Sequence, residues 1–204
     1  MKSDSIAFAV GGMVFGLIAG WVIGAQHAVV RPVSAPPAVA ASAPAGSGAA
    51  PAPPALNDAD VRRQIALAEA NPTSAAPRIA LANLYFDAER YEDAVKWYEA
   101  AMTLVPSDPD VSTDLGVSYY YLNQPDRALA LFDRSLKIDP RHTKTILNVG
   151  IVRAFGKQDL AGATKAWEQV VSLAPASPEG QAARRALDAV KNAHPNVGTA
   201  PGTN

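Results

Sequence analysis

Three histidines, His27, His142 and His194, are the only imidazoles in a chain of 204 residues that has no cysteine. General acid–base or nucleophilic chemistry needs such a group held beside a carboxylate or hydroxyl by a third partner. None of the three has that pattern around it. His27 follows an apolar run, His142 falls between two helical patterns, and His194 lies in a polar tail. The densest carboxylates, Asp87, Glu89, Glu92 and Asp93, sit at the end of one helical pattern and in the first turn of the next. The positive end of a helix dipole accounts for acids in a first turn without any reaction. The lack of cysteine removes disulfides and thiolate metal sites and says nothing about redox compartment. No phosphate loop, His-Glu-x-x-His or Gly-x-Ser-x-Gly occurs, and Gly11-Gly12 belongs to the apolar run. The sequence therefore predicts no catalytic residue, no metal ligand and no cofactor: a non-enzyme. Acids and bases are interspersed at a net charge of −1, without the basic stripe that a nucleic-acid backbone requires.

By composition the chain divides into unlike segments. After a short flank at 1–5, residues 6–25 (IAFAVGGMVFGLIAGWVIGA) carry no charge. At about 1.5 Å per residue such a helix crosses a hydrocarbon core of about 30 Å. Trp21 lies near its outer end, where indoles favour the headgroup zone. The run is longer than the apolar core of a signal peptide, and no clean Ala-x-Ala follows, so a membrane anchor is preferred to a cleaved signal. Lys2 and the terminal amine favour a cytoplasmic N-terminus, with the remainder periplasmic or otherwise extracytoplasmic. Gly12, Gly16, Gly20 and Gly24 form one stripe on this helix, the spacing that lets two membrane helices approach closely, so a homo-oligomer through the span is an option.

Residues 26–55 are dominated by alanine and proline and read as a disordered tether; the tail, 193–204, reads as disordered too. Between them prolines set a period. Asn71-Pro72, Val105-Pro106, Asp139-Pro140 and Ala174-Pro175 are separated by 34, 34 and 35 residues. Asp108-Pro109 and Ser177-Pro178 have the form of an N-cap followed by proline in the first turn. Within each period small and large residues recur in one order. The first has Leu81, Ala82, Tyr85, Ala94, Tyr98 and Ala101; the second Leu115, Gly116, Tyr119, Ala128, Phe132 and Ser135; the third Val149, Gly150, Arg153, Ala163, Trp167 and Val170. Bulk from one helix can enter the gap left by its neighbour.

This order of residues resembles the tetratricopeptide-repeat (TPR) family, with its helix-turn-helix motif of 34 residues. The resemblance implies an all-α fold, a right-handed superhelical solenoid, behind the N-terminal transmembrane helix. Its divisions would be a capping half repeat at 56–74 led by Val61, Ile65 and Leu67, repeats at 75–108, 109–142 and 143–177, and a polar capping helix at 178–192. The third repeat departs from the pattern: it has one extra residue within AFGKQDLAGA, and Arg153 stands where the others have tyrosine.

The resemblance also implies a concave groove. Ser112, Leu115, Gly116 and Tyr119 would pack inward, leaving Asp110, Thr113, Val117, Tyr120 and Tyr121 on the groove stripe. Ile79, Asn83 and Phe86 correspond in the first repeat, and Lys144, Leu147, Ile151 and Phe155 in the third. Such a lining suits an apolar peptide or amphipathic helix. Some TPR domains clamp a C-terminal carboxylate on this face; Asn83 and Lys144 fit that arrangement, whereas Ile79, Asp114 and Asn148 do not. The alternative for Phe86 and Tyr120 is packing between repeats. The expected function is a membrane-tethered protein–protein interaction module, a scaffold or assembly factor of the cell envelope such as those of cytochrome c maturation or secretion. The alternative is a self-assembling scaffold driven by the glycine stripe.

Overall fold

A computed structural model describes residues 55–193, all helix and connecting turn. The expected transmembrane span with its glycine stripe, the tether up to Pro54 and the tail from His194 lie outside the described residues. Among the described residues, no helix is long and apolar enough to cross a membrane.

The helices run α1 Asp58–Ala70, α2 Ala76–Asp87, α3 Tyr91–Leu104, α4 Pro109–Tyr121, α5 Pro125–Ile138, α6 Thr143–Ile151, α7 Leu160–Leu173 and α8 Pro178–Ala193. Each packs against its sequence neighbours, as expected of a solenoid built from helical hairpins. Local chemistry sets the starts. The Asn57 side chain accepts from the amides of Ala59 and Asp60, at 3.0 and 3.4 Å. Asp108 accepts from Asp110 and Val111, at 2.9 and 3.2 Å, with Pro109 in the first turn. Asp159 and the Ser177 hydroxyl do the same for Gly162 and Gly180, at 2.8 and 3.1 Å. These bonds satisfy amides that an isolated helix end leaves open.

Within repeats the small-against-large pairing is literal. Tyr98, Phe132 and Trp167 are buried against the first helix of their own repeats. A Cβ built on Gly116 would lie 2.6 Å from the Phe132 ring, and one on Gly150 would collide with the indole of Trp167. That indole donates to the Leu147 carbonyl at 3.3 Å. The α1 half repeat differs from expectation in one detail: Val61 and Ala68 face inward, while Leu67 is exposed.

The turns between paired helices repeat as well. Glu89, Asn123 and Gln158 each take positive φ, near 56–58°. In the first two turns the next amide closes a six-residue loop, Arg90 to the Tyr85 carbonyl and Gln124 to that of Tyr119. In the third, Asp159 reaches one residue further back, to Arg153, and Val152–Gly156 forms a π-helical turn. The extra residue of the third repeat is thus absorbed as a widened helical turn. Arg153 replaces the aromatic face seen earlier with charge. Arg90 stacks on Tyr85 and Arg127 on Tyr119, at 5.0 and 5.2 Å, whereas Arg153 binds Asp159 at 2.8 Å. The Gly162 amide, and then Arg153, hold the Asp159 carboxyl below the usual range, so the ion pair also fixes the cap of α7.

Candidate partner-binding groove

The face shared by α2, α4 and α6 is built from one recurring geometry. Each helix supplies polar residues four apart, which places them on one stripe: Asn83 and Asp87, Asp110 and Asp114, Lys144 and Asn148. Lys144 crosses from α6 to α4, with its ammonium 3.1 Å from Asp110 Oδ1 and 2.7 Å from Asp114 Oδ1. Desolvation pulls its pKa down, but Asp114 and then Asp110 outweigh it and hold the lysine charged. Tyr98 donates to Asn83 Oδ1 at 2.5 Å. Burial first, then the nearby charges of Asp114 and Asp87, push its phenol well above the ordinary range. Asn148 donates to the Lys144 carbonyl at 2.8 Å and is itself buried.

Towards the C-terminal ends of these helices the face turns aromatic. Phe86, Tyr120 and Phe155 occupy the same place in successive repeats, 34 and 35 residues apart. Tyr121 stacks on Tyr91 with centroids 4.7 Å apart, and Phe86 meets both edge-on at 5.3 and 5.4 Å. Tyr120 adds an edge contact to Tyr121 at 5.9 Å. Burial pushes the phenols of Tyr120 and Tyr121 up to about 12, Tyr121 itself adding to the first and Glu89 to the second. Burial, then Glu89 and Tyr121, raise Tyr91 as well. All three stay neutral at ordinary pH, so the cluster acts as an apolar surface with hydroxyl edges.

Four of the expected groove residues are elsewhere. Thr113, Val117, Leu147 and Ile151 are buried between neighbouring helices and present almost no surface to a partner. Adjacent first helices touch each other along this stripe, so the apolar members of it become core. Thr113 joins a buried hydroxyl cluster. It donates to the Pro109 carbonyl at 2.6 Å, as Ser135 does at 2.9 Å, and Thr145 lies 2.6 and 2.7 Å from the two hydroxyls. Thr113 also lies 3.1 Å from Ser135, and Thr145 lies 2.6 Å from His142 Nδ1, so the three hydroxyls and the imidazole form one hydrogen-bonded network. His142 closes this network at one end and has a structural role there, its other nitrogen 3.6 Å from Asp110.

Ile79, Asn83, Phe86, Asp110, Tyr120, Tyr121 and Lys144 do keep surface on this face, most of them half-buried. Phe86 and Tyr120 also pack against buried clusters, and Phe155 is the exposed member of the ladder. Tyr91 was not legible as part of the face, because it opens a second helix where the other repeats carry Pro125 and Leu160. An aromatic residue breaking that small or aliphatic series was the available signal.

The family model for the tetratricopeptide repeat matches residues 73–141. The helical hairpins and their packing, within and beyond that match, are those of a TPR-like solenoid. Among curated proteins it is similar to the cytochrome c-type biogenesis protein CycH of Pseudomonas aeruginosa, 32% identical over 129 residues. That match takes in 62% of this chain and 31% of the relative, so the chain spans about a third of that protein's length. Among solved structures it is similar to the first TPR domain of human RPAP3, with 26% identity and a TM-score of 0.54, covering 60% of this chain and 94% of that one. A second is the first TPR of Spaghetti (RPAP3) bound to the HSP90 peptide SRMEEVD, also 26% identical, with a TM-score of 0.52, covering 58% and 91%.

Proposed function

We propose that this chain is a non-enzymatic interaction module that holds a protein or peptide partner on the α2–α4–α6 face, close to a membrane. The observation that carries the reading is that face itself: an aromatic ladder and a polar stripe, side by side on three successive repeats. TPR domains similar to this one include one whose structure holds a peptide. The likeness to CycH supports a place in the assembly of c-type cytochromes. The uncharged run at 6–25 supports a tether with the domain on the extracytoplasmic side.

The test of the face is a set of alanine variants assayed against the partner recovered with the full-length protein from its native membranes. Phe155→Ala, at an exposed position, is expected to weaken binding about fivefold, about 1 kcal/mol, with helical content unchanged. Phe86→Ala and Tyr120→Ala are expected to weaken binding and also lower thermal stability, because these rings pack between repeats. Unchanged affinity in all three would mean that the partner binds elsewhere. The tether has its own check in the intact mass of the mature protein. Retention of residues 6–25 is expected, whereas a new N-terminus near Gln26 would mean a cleaved signal. If the glycine stripe drives self-association, Gly16→Ile with Gly20→Ile weakens it in a membrane reporter, while Gly11→Ile does much less.

A further inference from the structure

The charges on this face specify what kind of partner it takes. Against the ammonium of Lys144 stand the carboxylates of Asp110 and Asp114 on the same stripe, with Asp87 close enough to Tyr98 to perturb its phenol alongside Asp114. Glu89 flanks the aromatic end, where it acts on both Tyr91 and Tyr121. The neighbouring cations are drawn to other carboxylates: Arg90 and Lys96 share Asp93, and Lys157 pairs with Asp126, at 2.6 to 3.1 Å, so the four carboxylates Asp87, Glu89, Asp110 and Asp114 still outnumber the positive charge beside them. Lys144 is held between two aspartates, so it offers no unmatched positive charge to a carboxylate. The surface is thus an apolar, aromatic platform with an excess of negative charge along one side.

We infer that the α2–α4–α6 face takes a segment bearing lysine or arginine next to apolar side chains, and that it disfavours acidic peptides and C-terminal carboxylates. The inference rests on the proposed function and adds the partner's chemistry. Apolar residues seat on the aromatic surface of Phe86, Tyr121, Tyr120 and Phe155, and a cationic group meets the carboxylates of Asp110 and Asp114. Like charge at the aspartates repels an acidic ligand, which is the larger part of the discrimination.

The experiment is a fluorescence-anisotropy titration of the full-length protein with two labelled amphipathic peptides. They share one leucine and phenylalanine stripe and carry lysine or glutamate at every polar position. The lysine peptide is expected to bind at least tenfold more tightly, with a preference that falls as salt is raised. Asp110→Asn combined with Asp114→Asn is expected to remove most of the preference. Lys144→Gln is expected to increase affinity for the lysine peptide several-fold, a gain that loss of structure cannot imitate. Equal binding of both peptides, tighter binding of the glutamate peptide, or weaker lysine-peptide binding by Lys144→Gln would each overturn the inference. Failure of both peptides to bind would overturn it too. If the native partner is still captured through Phe155 in that case, the interaction role stands; if not, both fall together.

Discussion

Trp167→Ala is expected to lower stability by about 3–5 kcal/mol, the range for removing a fully enclosed aromatic. The indole is 1% exposed, donates to the Leu147 carbonyl and fills the space opposite Gly150. Its loss leaves a cavity where α6, α7 and α8 meet, and the Leu147 carbonyl without that donor. Gly150→Ala is expected to cost about 1–3 kcal/mol for the opposite reason, since its new methyl strikes the ring. Combined, the two changes are expected to cost less than their sum, because the methyl then enters the vacated space. Unfolding measured by circular dichroism checks all three. Amide exchange should place the damage in α6–α8, with α2–α4 less affected, because solenoid repeats contact only their neighbours. Strict additivity would mean that the glycine and the indole are not a complementary pair.

The second large effect lies in the hydroxyl cluster. Thr145→Val keeps the shape and removes the group that joins Thr113, Ser135 and His142. Thr113 and Ser135 keep the Pro109 carbonyl, but His142 Nδ1 loses its hydroxyl partner. The expected cost is about 1–2 kcal/mol, because the hydrogen bonds of the Thr145 hydroxyl are lost while the imidazole left behind is only partly buried. Ser135→Ala is expected to cost less, since Thr113 continues to serve both Pro109 and Thr145. Chemical denaturation with an unchanged slope would assign the loss to the folded state. If Thr145→Val proves neutral, the hydroxyl network contributes nothing to stability.

The hairpin architecture was legible because it rests on size and punctuation. Gly150 and Trp167, like Gly116 and Phe132, have no other reason to recur in that order, and prolines fix where each second helix has stopped. The groove was only partly legible. Period 3.6 assigns Thr113, Val117, Leu147 and Ile151 to a common stripe, but it does not say how closely the next repeat's first helix approaches. That distance decides whether a valine is lining or core, and here it is core. The asparagine and charged residues, Asn83, Asp110 and Lys144, stayed at the surface because burial without partners would cost them heavily. The site of the inserted residue was legible, but its form was not. A π-helical turn depends on backbone bonding between Arg153 and Asp159 that no side-chain pattern announces.

Partner binding on the face formed by α2, α4 and α6 is the reading on which the proposed function rests. Site-specific photocrosslinking in living cells tests it most directly, with a photoreactive phenylalanine at Phe155 or at Glu168, an exposed position on α7. One strong adduct to a discrete partner is expected from Phe155, diminished in an Asp110→Asn, Asp114→Asn background, and none from Glu168. Adducts from Glu168 alone, or equally from both positions, would contradict it.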